Sequence, residues 1–120
     1  MKTQKFVLHC RAISKLMKRL AILANQLDDD CALLAPSGGP YERIRQHLLE
    51  AFGLTEAIRH AHLPHIDAED PPTAFVMGLA LHNLVARIST MGALFLQLDK
   101  RPKTLPKYLP REMRQELRLS

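Results

Sequence analysis

Tryptophan is absent from this chain, and only six residues are aromatic, five are glycine and two are cysteine. Without large rings, a core has to be assembled from Leu, Ile, Ala, Val and Met, a palette that suits close helix packing better than a pleated sheet. The scarcity of cysteine excludes a disulfide scaffold. If Cys10 and Cys31 lie on one helix, they stand about 30 Å apart at 1.5 Å per residue and cannot bridge. The glycines supply no phosphate loop, because Ser37-Gly38-Gly39 is followed by no Lys-Ser pair. No nucleophile elbow is present either. The start of the chain is basic but broken by His9, Arg11 and Lys15 and has no small-residue cleavage site, so a cytoplasmic, reduced protein is expected.

What is present fits one domain of 120 residues, 47% of them apolar. The net charge of +5 is unevenly placed. Residues 100–120 hold Lys100, Arg101, Lys103, Lys107, Arg111, Arg114 and Arg118 against Glu112 and Glu116, which accounts for the whole excess and leaves residues 1–99 neutral. A basic balance points to nucleic acid or acidic surfaces, and here that reasoning applies to the tail alone.

Heptad spacing predicts a helix over about 6–31. Phe6, Ile13, Leu20 and Leu27 form one row, Cys10, Met17, Ala24 and Cys31 a second, and Leu16 and Leu23 widen the stripe. Asp28, Asp29 and Asp30 oppose the helix dipole near its end, where fraying or an early stop is expected. The prolines and glycines of 34–40 mark a turn, with Pro40 opening a second helix whose face carries Tyr41, Ile44, Leu48, Ala51 and Phe52. Gly53 is expected to interrupt it, with Thr55 capping a continuation that carries Ile58 and Ala61. Residues 62–72 read as a polar connection ending in the N-cap Asp70 and two prolines of a first turn.

A third helix is expected over 71–98. It has rows Ala74, Leu81, Ile88, Phe95 and Met77, Leu84, Met91, Leu98, with Gly78, Val85 and Gly92 beside them. A second strip of Val76, Leu79, Ala80, Ala86, Ala93 and Leu94 implies a central helix covered on more than one side, and Gly78, Ala86, Gly92 and Ala93 permit close approach. This helix has the length of a membrane span, but His82, Asn83 and Arg87 near its middle favour a bundle core. Beyond it, Lys103-Thr-Leu-Pro106 and Lys107-Tyr-Leu-Pro110 form an extended tandem repeat. A short helix with Leu109, Met113 and Leu117 in register follows.

His60, His62 and His65 near Asp67, Glu69 and Asp70 match no metal-site spacing, and Pro64 is expected to keep His62 and His65 from aligning. The segment Arg59-His60-Ala-His-Leu-Pro-His65 resembles, over seven residues, the arginine, polar residue, four residues, histidine signature of HEPN-type ribonucleases, which are also all-α. That resemblance implies Arg59 stabilising phosphate charge and His65 in general acid–base chemistry near RNA. His9 and His82 border apolar stripes, where a hydrogen-bonded structural histidine is the ordinary expectation.

The expected fold is an all-α, three- to four-helix bundle of long antiparallel helices over 1–99. A Pro-interrupted basic extension over 100–120, ending in a short helix and docked on the same domain, completes it. The expected function is a non-enzymatic interaction or regulatory module that self-associates or docks a protein through long helix faces, with no cofactor, no metal and no membrane. Leu81, Leu84, Ile88, Met91 and Phe95 are its interface or core residues. The alternative is a nucleic-acid-binding accessory protein using Lys100, Arg101, Lys103, Lys107, Arg111, Arg114 and Arg118. A ribonuclease or metal enzyme stands third.

Overall fold

The protein is all-α. Its computed structural model describes residues 2–33 and 40–98, and among them there is no strand. Helix α1 spans Gln4–Ala32 and α2 Tyr41–Glu56. A π-helical segment, Ala57–His62, and a short helix α3, Leu63–Glu69, continue from α2 without a break, and α4 spans Pro71–Leu98. The expectations for residues 99–120, including the tandem repeat and the closing helix, lie outside the described residues.

Each boundary has a local cause. Thr3 caps α1, its hydroxyl accepting from the Phe6 amide at 3.1 Å. The row Phe6, Ile13, Leu20, Leu27 is buried, as are Ala24 of the second row and Leu23, while Cys10, Met17, Cys31 and Leu16 pack half-buried against the core. The aspartates do not end the helix early. Asp30 is buried and takes two hydrogen bonds from Arg43 of α2, at 3.0 and 2.8 Å on Oδ1. Its Oδ2 lies 3.4 Å from Nδ1 of His47 without a hydrogen bond, and it is the Arg43 pairing across the helices that offsets the unfavourable dipole. Asp28 also pairs, with Arg87 of α4, which bonds Asn25 as well.

Pro40 stands at the N-cap of α2, one residue outside the helix, with Ile44, Leu48 and Ala51 on the buried face. Gly53 does not interrupt the helix. It is exposed, with open space where a Cβ would stand. Thr55 is not a cap either: it is fully buried, and its hydroxyl donates to the Ala51 carbonyl at 2.8 Å, a bond available only inside a helix.

The break falls later and is a widening. Buried Ile58 and half-buried Leu63 are five residues apart, the Leu63 amide donates to the Ile58 carbonyl, and Pro64 has no amide to restore the α ladder. Residues 63–69, read from sequence as a connection, therefore form a helix with Pro64 in its first turn and Ile66 buried. Asp70 caps α4, accepting from the Thr73 amide at 3.3 Å and hydroxyl at 2.8 Å.

The helices share one apolar core that includes Leu20, Leu27, Ile44, Leu48, Ile58, Ile66, Leu81, Val85, Ile88 and Phe95. Helix α1 packs on α2, α3 and α4, and α4 also packs on α2 and α3. Gly92 lets α4 approach α2 closely, where an added Cβ would stand 3.4 Å from a methyl of Leu48. At Gly78 an added Cβ would stand 3.7 Å from Leu63 of α3, an ordinary contact. Leu81, Ile88, Met91 and Phe95 are all buried within the chain's own core, and Leu84 packs against it half-buried. The second strip of α4 is not covered: Val76 and Leu79 are 65% and 51% exposed, and neighbouring Phe75 is 72% exposed.

Candidate functional site

Two features of the described residues stand apart from ordinary core packing. The first gathers three histidines from three elements. The extra residue of the π-helical turn rotates the chain after Ile58 so that Leu63 faces α4 while His62 faces α1. There the Nδ1 atoms of His9 and His62 are 2.9 Å apart. The ring of His65, from α3, stacks on His9 with centroids 4.1 Å apart and planes 3° from parallel. Spacing along the chain gave no sign of this, because His9 lies 53 residues from His62 and the expectation that Pro64 would separate His62 from His65 omitted α1 as a meeting place. His60 is not part of the group and pairs with Glu56 at 2.8 Å, one turn back on the outer surface.

Stacked rings hold their in-plane nitrogen lone pairs in parallel planes, so the three histidines do not converge on one point. Among the described residues no group of three or more His, Cys, Asp or Glu is arranged to hold a metal ion. What the group does have is a constraint on protons. Two Nδ1 atoms at hydrogen-bond distance need one donor and one acceptor, so one ring of the His9–His62 pair must be neutral at Nδ1. Partial burial, followed by the positive charge available on His65, His62 and Lys5, lowers the pKa of His9 below its ordinary 6.5.

Just beyond the cluster, the ends of α1 and α3 are tied by a second, carboxylate-based set of bonds. The Thr3 hydroxyl donates to Glu69 Oε2 at 2.6 Å and its amide to Oε1 at 3.2 Å, and Lys2 bonds the Glu69 carbonyl at 3.0 Å. Those hydrogen bonds from Thr3 lower the pKa of Glu69, and bonds from Thr73 do the same for Asp70.

The second feature is the outer face of α4. Phe75, Val76 and Leu79 form an exposed apolar ridge with a depression on each side. Between α4 and α1 runs a groove of about 410 Å³ whose walls include Ile13, Met17, Ala21, Val76 and Ala80. Between α4 and α3 lies a cleft of about 700 Å³ lined by Leu63, Pro64, Pro71, Pro72, Ala74 and Phe75, with Arg59 and Asp67 at its polar edge.

The chain matches no family model, no curated protein and no solved structure. The functional reading therefore rests on geometry and charge. Of the residues that resemble the ribonuclease signature, Arg59 lines the cleft on the α4 side, whereas His65 is not among the lining residues and stacks on His9 of α1. Lys100, Arg101, Lys103, Lys107, Arg111, Arg114 and Arg118 lie outside the described residues. The exposed ridge was missed because apolar periodicity reads alike whether a strip is covered or bare, so the sequence assigned it to a buried side.

Proposed function

We propose that the protein is a non-enzymatic helical-bundle interaction module that self-associates through the outer face of α4. One observation carries this reading: the stretch Pro71–Ala93 has the length and apolar character of a membrane span, yet 33% of it is buried within the chain. An apolar ridge flanked by two depressions is self-complementary, so a two-fold pair seats each copy's ridge in the other's groove. No Asp, Glu, Lys or Arg occurs from Pro71 to Ala86, so the ridge itself brings no charge into the contact, and the charges beside it are Lys18 of the groove wall and Arg59 and Asp67 of the cleft edge.

Phe75, Val76 and Leu79 leave on the order of 300 Å² of apolar surface per copy, the size of the largest patch on an ordinary monomer, which is often functional. Covering it in both copies gains about 15 kcal/mol gross at ~25 cal/mol per Å². Association costs about 4–15 kcal/mol, which leaves about 0–11 kcal/mol net, a range that includes a micromolar Kd. Leu81, Ile88, Met91 and Phe95 are spent in the chain's own core and are not available to this contact. The test is light scattering at tens of micromolar, where the native chain should show twice its monomer mass and Val76→Glu with Leu79→Glu should restore the monomer with its helicity retained.

A second reading rests on the charge of residues 100–120, which carry the whole +5. In that reading the tail tracks a phosphate backbone. Lys103→Glu with Lys107→Glu then reduces the slope of log affinity against log salt by about 0.7–0.9 for each lost contact. Sub-micromolar binding at physiological salt that is lost on removing 100–120, with melting unchanged, would put this reading first.

A further inference from the structure

We propose that His9, His62 and His65 form a proton-operated clasp, which holds α1 against the π-helical segment and α3 while no more than one ring of the His9–His62 pair is an imidazolium cation, and which releases when both are. The geometry sets the rule. At 2.9 Å the two Nδ1 atoms share one hydrogen. A neutral pair satisfies this with one ring in the Nδ1–H tautomer, and a singly charged pair satisfies it with an imidazolium donating to a neutral partner. A doubly charged pair places two N–H donors and two positive charges face to face, and no ring rotation about the shared axis removes the repulsion between them.

His65 sharpens the response. Lying parallel on His9 at 4.1 Å, it offers a good stack when both rings are neutral and a like-charge contact when both are protonated. The charges acting on His9 are those of His65 and His62 from the facing elements and Lys5 from its own helix, and all of them oppose its protonation. The acidic groups at the end of α3, Glu69 and Asp70, are already engaged by Thr3, Thr73 and Lys2, and no carboxylate acts on His9.

The release is local. The carboxylates that tie Thr3 to Glu69 and cap α4 at Asp70 have pKa values lowered from 4.5 and 3.8, so they stay ionised throughout the range in which imidazoles titrate. Between about pH 7.5 and pH 5.5 the histidine contacts open while the carboxylate tie persists, giving a hinged and not an unfolded state. The π-helical turn is the element that moves, since its hydrogen bonds are the least regular of the α2–α3 rod.

Imidazole NMR on the full-length chain, with hydrogen exchange at pH 7.5 and pH 5.5 corrected for intrinsic rates, tests the clasp. The expected result is coupled, two-step titration of the His9 and His62 rings. Exchange protection of 62–66 should also fall by about tenfold across the range, the change that one pKa unit of lost coupling produces. In His9→Phe, which keeps a ring for His65 to stack on, the fall in protection should shrink below about twofold, and the ring titration of the native chain stands even where that variant folds poorly. Independent single-proton curves for His9 and His62 would overturn the proposal, and so would an equal loss of protection in His9→Phe.

Discussion

Asp30 shows how a single side chain redirects a reading made from helix physics. A carboxylate near a helix C-terminus is unfavourable, yet this one is 6% exposed and takes both bonds of an Arg43 fork with His47 beside it. Asp30→Ala should therefore destabilise the chain by about 1–3 kcal/mol in a denaturant titration, toward the lower end because Arg43 is half exposed and returns to water. Cys10 and Cys31, both on α1, are free thiols whose pKa values are raised chiefly by burial. Alkylation of the denatured chain without reductant should modify two cysteines per molecule, and in the native state Cys31, closed in by α4, should react more slowly than a free thiol. Acid should act through Glu50, Glu69 and Asp70, whose pKa values are lowered by bonds from Arg19, Thr3 and Thr73. A depressed carboxylate stabilises the fold above its unfolded pKa and loses that contribution as pH falls through the folded one. The acid limb of the melting curve should thus begin near pH 4.5, and Glu69→Gln, which removes one of the titrating groups, should lower the melting temperature at neutral pH and make the limb shallower, the two curves converging in acid.

Among the elements, α4 was legible to the residue because Asp70-Pro71-Pro72 is a cap followed by residues that fit only a first turn. The rows of α1 were legible because 29 residues repeat one spacing. The reading failed where a residue's usual meaning depends on depth or on a distant partner. Gly53 and Thr55 signal a break when exposed to solvent on both sides, but Thr55 is buried and its hydroxyl is satisfied within the helix. Pro64 signals a break in a helix interior, whereas after a π-helical turn it occupies a first turn. The histidine cluster needed α1 laid beside α3, which no local pattern supplies. Because Gly53 sits exposed in a continuous helix with open space around it, Gly53→Ala should stabilise the chain by about 0.5–1 kcal/mol, read as a raised melting temperature.

For the molecule as a whole, the described core uses one side of α4 and leaves the other bare. The stretch Pro71–Ala93, with one-third of its most apolar window buried, is incomplete by the same area argument that explains the core beneath it. In the proposed pair a second copy of the chain completes it with a ridge that carries no charge of its own. Absolute mass by light scattering from about 1 to 100 micromolar tests this most directly. A concentration-dependent rise from monomer to dimer, abolished by Val76→Glu with Leu79→Glu at unchanged helicity, is the predicted result. A monomer mass across the whole range, with cooperative unfolding, would contradict it.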